Sequence, residues 1–130
     1  MQENTQEKQQ WKKRVDTFRY IFECLSNNYS KEEIIKKTKN QDEYFLKTIE
    51  YFSTNFTNIV EKIKQNINSS SWSWERTKLV DKAIIITAIC ESFANSLEKK
   101  VSIDQAIVNA KNYSEKNSYK FINAILDKIL

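Results

Sequence analysis

The chain contains neither glycine nor proline among its 130 residues. Tight β-hairpins and glycine-rich phosphate loops depend on these residues, so their absence argues against both kinds of structure. Glycine is also the commonest residue at helix ends, so helices here have to end at junctions rich in Asn, Ser and Lys. A chain of this length forms one domain by default and can bury a core of its own. The composition therefore predicts a single all-α domain.

The sequence also lacks histidine, which excludes His-dependent catalytic triads and His-containing metal sites. Its two cysteines, Cys24 and Cys90, lie far apart within apolar helical patterns, which indicates buried small hydrophobic residues. The chain has no nucleotide-binding loop and no metal-ligand cluster of the usual spacing. We therefore expect a protein that is not an enzyme and carries no metal or cofactor.

The polar N-terminus has no apolar core, so it does not resemble a signal peptide. The longest apolar run, Ala83 to Cys90, is too short to span a bilayer, and we expect a soluble cytoplasmic protein that does not enter membranes. The formal net charge of +4 is mildly basic and permits nucleic-acid binding without requiring it.

Apolar periodicity predicts a mobile polar tail over residues 1–9 and one helical domain over residues 10–130, with six to seven helices. Predicted N-terminal signals for its helices are Ser30 with Glu33, Asn40 with Glu43, Ser102 with Gln105, and either Ser114 or Asn117. A break is expected near Ser53-Thr54. The run I-I-I-T-A-I-C favours a strand by local propensity. Charged flanks without turn signals instead indicate a central helix that is buried on all sides, from Glu75 to about Asn95.

Two groups of residues could contact nucleic acid. Lys12, Lys13 and Arg14, with Arg19 nearby, place cations on the first helix, where they could neutralise phosphates. Taken alone, such a cluster is more often a solvated helix face. The run Lys116 to Phe121 combines cations, amides and aromatics at a helix start, which could bind phosphate and stack a base. Taken alone, that run is more often a capped helix with Phe121 in the core.

Two pairs of residues admit other interpretations. Trp72 and Trp74 could anchor an interface or pack over the end of the bundle, and core packing is favoured for Trp74. Asp81 and Glu91 stand ten positions apart on the central helix, about 15 Å, too far for one acid–base site. Buried pairing or a partner contact fits these carboxylates better.

Three segments together resemble the NusB family. They are W-S-W-E-R-x-x-x-V-D-K-A-I with the downstream C-E-S, starting at Trp72; V-S-I-D-Q-A-I-x-x-A-K-x-Y, starting at Val101; and S-x-K-F-I-N-A-I-L-D-K, starting at Ser118. The resemblance implies a compact bundle of two packed three-helix units. It also implies a factor of the RNA polymerase antitermination complex that binds single-stranded boxA-like RNA jointly with NusE, a ribosomal protein, as a monomer or homodimer. The RNA site it implies comprises Lys12, Arg14, Asn117, Lys120 and Phe121, to which the basic cluster adds Lys13; Asp81 is implied for the NusE surface, and Trp72 is a further candidate there.

Several positions depart from the family pattern. The arginine-rich start of the family is reduced here to Lys-Lys-Arg, Asn117 stands where an acidic residue is common, and Ala124 replaces a usual Gly. Two other functions therefore remain open. One is a helical protein-interaction module that has lost direct RNA binding, and the other is a stand-alone relative of the NusB-like domain of RNA cytosine methyltransferases.

Overall fold

The computed structural model describes residues 2–38, 42–67 and 73–130, with side chains from Lys12 onward. Within these ranges the chain forms six α-helices and no strand. They are α1 (Gln2–Asn27), α2 (Lys31–Lys37), α3 (Glu43–Gln65), α4 (Leu79–Asn95), α5 (Lys99–Tyr113) and α6 (Ser118–Ile129). This confirms the predicted all-α bundle. Helix α1 begins at Gln2. The division into a tail over residues 1–9 and a domain over residues 10–130 stays a prediction.

Helix α4 is the centre of the bundle. Every side chain from Ala83 to Ser92 is buried, although the segment is rich in β-branched residues. Helices α1, α2 and α3 form the first unit, in which α1 and α3 pack on α4 and α2 packs on α3. Helices α4, α5 and α6 form the second unit, in which α5 and α6 pack on α4 and on each other. The prediction of a buried central helix is confirmed, with its start at Leu79 rather than Glu75.

The helix starts of the first unit follow local capping rules. The Ser30 hydroxyl accepts from the Glu33 amide at 3.2 Å, and the Glu33 carboxylate accepts from the Ser30 amide at 3.1 Å, as predicted. Asp42 caps α3 by accepting from the Phe45 amide; the predicted cap, Asn40, lies outside the described residues. The expected break near Ser53-Thr54 is wrong, since α3 runs through it with the Ser53 hydroxyl donating to the Glu50 carbonyl.

The predicted start of α5 is wrong, whereas Asn117, one of the two residues predicted to start α6, is its N-cap residue. Helix α5 begins at Lys99 after Glu98, so Ser102 and Gln105 lie inside the helix and are buried rather than forming a capping box. Ser114 ends α5 instead of starting α6. Asn117 occupies the cap position of α6 but makes no side-chain cap hydrogen bond there.

Without glycine, the chain uses small polar residues at left-handed positions. Asn28, after α1, has φ of 52°, and Ser96, which ends α4, has φ of 53°. Short polar side chains tolerate this conformation better than larger ones. Both cysteines are buried thiols, as predicted, and burial raises the pKa of Cys24 to about 12.

Candidate nucleic-acid interface

Helix α4 separates the two groups of residues predicted to bind RNA. Phe18 of α1 and Val80 of α4 line one groove, whereas Arg14 and Glu91 line a pocket further along, so α1 and α4 run antiparallel. From Asp81 to Glu91 the helix rises about 15 Å. Lys12, Lys13 and Arg14 of α1 and the start of α6 therefore lie towards opposite ends of α4, whereas Arg19, further along α1, lies at the α5–α6 end.

At one end, two of the three predicted cations of α1 are engaged within the chain. Lys13 pairs with Asp42 at 3.1 Å, with both side chains partly exposed. Burial pushes the pKa of Asp42 upward, but hydrogen bonds from Lys13 and the Phe45 amide outweigh it and leave the pKa below its usual value. Arg14 is half-buried and turned towards α4. Lys12 is the most exposed of the three.

Arg14 belongs to a buried polar cluster that also contains Tyr44 and Glu91. The Tyr44 hydroxyl donates to the carboxylate of Glu91, whose side chain is 3% exposed. Burial raises the pKa of Glu91 to about 7, against the opposing effects of the Tyr44 hydrogen bond and the Arg14 charge. The members of the cluster lie on α1, α3 and α4, so its main role is to stabilise the contact between these three helices.

At the other end, Asp81 holds the junction between α5 and α6. The Ser114 hydroxyl donates to the Asp81 carboxylate at 2.5 Å and lies 3.0 Å from the Ser118 hydroxyl. Asp81 is only 6% exposed. Of the two interpretations of this carboxylate, buried pairing is present in the structure, and the NusE contact stays a prediction.

The start of α6 is only partly a surface. Asn117 and Lys120 are exposed, whereas Phe121 is half-buried and packs against the core. Around this start, two aromatic rings make cation–π contacts. The Arg19 guanidinium donates to the Tyr113 hydroxyl at 3.3 Å and lies 5.8 Å from its ring centre, and the Lys111 ammonium lies 4.8 Å from the Tyr119 ring centre.

An apolar groove opens beside Tyr113. It measures about 320 Å³ and is lined by Phe18, Arg19, Phe22, Val80 and Tyr113, from α1, α4 and α5. Arg19 was predicted to act with the other cations of α1, and Tyr113 was not predicted as a site residue. The available signal was the aromatic that closes the A-K-x-Y segment, one residue before the α5–α6 junction.

Of the two tryptophans considered as interface anchors, Trp72 and Trp74, the structure describes only Trp74. Trp74 is 8% exposed with the Lys82 ammonium 5.2 Å from its ring, which confirms core packing. Trp72 lies outside the described residues. Among those described, no group of three or more Cys, Asp or Glu side chains could hold a metal ion. None of the helices in the described ranges is long and apolar enough to cross a membrane.

Comparison with known proteins identifies relatives along most of the chain. The NusB family profile matches residues 6–130. A transcription antitermination protein NusB of Finegoldia magna is 30% identical over 90% of this chain and 90% of its own length. One of Fusobacterium nucleatum is 33% identical over 77% of this chain, and the match spans 64% of that protein, less than two thirds of its length. A solved structure of T. maritima NusB has a TM-score of 0.76 at 27% identity, covering 92% of this chain and 88% of the other.

Proposed function

The chain belongs to the NusB family, and from this premise we propose that it is a non-catalytic transcription antitermination factor. In this proposal it binds single-stranded boxA-like RNA together with NusE within the RNA polymerase antitermination complex. The observation that carries the RNA half is the meeting of cations and aromatic rings around the start of α6. Such combinations bind single strands because cations neutralise phosphates and exposed rings stack bases.

The groove beside Tyr113 is the proposed base-binding surface. The Tyr113 ring is 40% exposed and remains accessible with Arg19 bound at its hydroxyl. Lys111 and Lys120 are exposed nearby on α5 and α6 and are positioned to contact phosphates. Asn117 and Phe121 are proposed as neighbouring contacts, with the partly exposed edge of Phe121 meeting a base or sugar.

The basic end of α1 is proposed as a second, weaker contact. Lys12 is its exposed cation, and Lys13 can contribute to the local potential while paired with Asp42. The two contact regions lie towards different ends of α4, so an RNA strand that reaches both has to run along the molecule.

For NusE we propose a surface near Asp81, and Trp72, which lies outside the described residues, is proposed as a further contact. Because Asp81 is nearly buried and bonded to Ser114, its effect on a partner would pass through the α5–α6 junction that it holds. This arrangement would place NusE beside the start of α6 and would make RNA and NusE binding mutually supportive.

The test is a titration of boxA RNA with and without NusE at several salt concentrations. Three to six phosphate contacts predict a slope of log K against log salt of about −2 to −4. Tyr113→Ala should weaken binding by about 1–3 kcal/mol, and Lys120→Ala should make the slope shallower by about 0.7. Tyr29 is the matched control, because it carries the Lys37 ammonium 5.3 Å from its ring but lies beside α2.

Three outcomes separate the proposals. Loss of RNA binding in Tyr113→Ala but not in Tyr29→Ala supports the groove beside Tyr113 as the base-binding surface. Equal RNA affinities for all variants would refute base binding at this groove. Binding of NusE without any RNA binding would refute the RNA half and favour a protein-interaction module.

A further inference from the structure

Arg14 is directed into the bundle rather than towards solvent. Its Nε is buried with no hydrogen-bond partner, and the side chain lines a polar pocket between α1, α4 and α5. Thr87 and Ser102 line the same pocket with hydroxyl groups that are buried and unpartnered. A phosphate-binding arginine presents its planar guanidinium fork to the phosphate, whereas the Nε of this fork is enclosed by the protein.

The charge of Arg14 also has a function inside the protein. Glu91 and Tyr44 approach it from α4 and α3. Burial raises the pKa of both groups, and the Arg14 charge opposes that rise. A carboxylate buried in this way depends on a nearby cation and on its hydrogen bonds. Arg14 therefore contributes to a contact between three helices in which each member stabilises the others.

We propose that Arg14 is a positioning residue, which holds α1 against α3 and α4 through Tyr44 and Glu91 and acts on RNA only through the groups it positions. These groups are Lys12, two residues before it on the exposed side, and Arg19, five residues after it. Arg19 lies about 7.5 Å further along α1 and meets Tyr113 at the other contact region. The inference rests on the proposed RNA binding and assigns Arg14 a different role from the direct contact that the family resemblance implied.

The test combines RNA affinity with hydrogen exchange of the full-length protein. In a double-mutant cycle of Arg14→Ala and Glu91→Gln, a positioning role predicts that Glu91→Gln alone weakens RNA binding about fivefold, although Glu91 is buried. The double variant should bind no more weakly than Arg14→Ala. If Arg14 contacts phosphate directly, Glu91→Gln leaves the affinity unchanged and the effect of Arg14→Ala is the same in both backgrounds, which overturns the inference.

Lys12→Ala is the matched control, because Lys12 is a neighbouring cation with an exposed side chain. Its effect on affinity should be equal in the native and Glu91→Gln backgrounds. In the protein without RNA, Arg14→Ala and Glu91→Gln should each speed amide exchange over residues 12–18, whereas Lys12→Ala should not. Unchanged exchange in the first two variants would also overturn the inference.

The exchange measurement keeps the two proposals distinguishable. If the unchanged protein binds no boxA RNA, the proposed function fails, and the action of Arg14 on RNA fails with it. Hydrogen exchange then still decides whether Arg14 holds α1 in place. If RNA binds but the cycle shows additive effects, the proposed function stands and the positioning role is refuted.

Discussion

The two ends of α4 bury the same kind of group in different ways. Asp81 lies in the first turn and is bonded to the neutral hydroxyl of Ser114, while Glu91 lies near the last turn with Tyr44 and Arg14 around it. The helix dipole favours a carboxylate at the N-terminus and disfavours one near the C-terminus. For this reason a hydroxyl partner is sufficient for the Asp81 carboxylate, whereas the Glu91 carboxylate needs a nearby cation.

The largest effect is expected from removing the carboxyl group at the C-terminal end. Glu91→Ala leaves the Tyr44 hydroxyl and the Arg14 charge without their shared partner inside the bundle, and it should lower the free energy of unfolding by about 3–5 kcal/mol. Urea unfolding measures this loss. Asp81→Ala is the control, with a smaller expected loss. Equal losses in the two variants would mean that the two ends do not differ as described.

The next effect is a pH dependence specific to Glu91. Its pKa is raised from 4.5 to about 7 in the folded protein, so folding favours the protonated form. This stabilisation is fully present below pH 4.5 and is lost as the pH rises through 7, by about 3 kcal/mol. Glu91→Gln should remove that loss, as measured by urea unfolding from pH 4.5 to 8. A native protein with flat stability over this window would contradict the pKa assignment.

Below pH 4.5 the free energy of unfolding should instead fall as the pH falls. The pKa values of Asp42 and Glu33 are lowered, Glu33 chiefly by the hydrogen bond from the Ser30 amide. These carboxylates stabilise the fold above their unfolded pKa values and lose that contribution as the pH falls through their folded ones. The curve for Glu91→Gln should therefore fall only on the acidic side, while that of the native protein falls on both sides.

A smaller effect is expected at the N-terminal end. Ser114→Ala removes the hydrogen bond to Asp81 and should cost about 1–3 kcal/mol of unfolding free energy, since the acceptor is a buried carboxylate. Ser118→Ala is a suitable control, because it removes the hydroxyl 3.0 Å from that of Ser114 but leaves the bond to Asp81. A greater loss from Ser118→Ala would contradict the role given to Asp81.

The smallest effect should come from the surface ion pair beside Arg14. Lys13 and Asp42 are both partly exposed, so Lys13→Ala should change the unfolding free energy by less than about 1 kcal/mol. Raising the salt concentration should reduce that difference further. A loss comparable with that of Glu91→Ala would show that Lys13, rather than Arg14, holds this end of α1.

The fold was largely predictable because its signals are local. Charged flanks identified α4 as a helix in spite of its β-branched residues, and Ser30 with Glu33 marked α2. The same kind of signal failed at Ser102 and Gln105, which form part of a buried polar wall of the pocket beside Arg14. A polar residue at helical spacing does not by itself reveal whether it caps a helix or faces a cavity.

The candidate site was less predictable because its geometry is set by packing. Lys12, Lys13 and Arg14 of α1 and the residues at the start of α6 were both recognisable in the sequence. Their separation along α4 depends on the antiparallel contact between α1 and α4, which no local pattern specifies. For the same reason Arg19 meets Tyr113 across 94 positions of sequence, and Arg14 turns inward.

The central position of α4 also has a consequence for synthesis. Helices α1 and α3, which cover one side of α4, precede it in the sequence, whereas α5 and α6 follow it. A nascent chain that has just completed α4 therefore exposes part of an apolar, β-branched surface until its last helices are made. Such segments pair readily with one another when exposed. We expect aggregation of this protein to originate from chains interrupted between α4 and α6, not from the folded bundle.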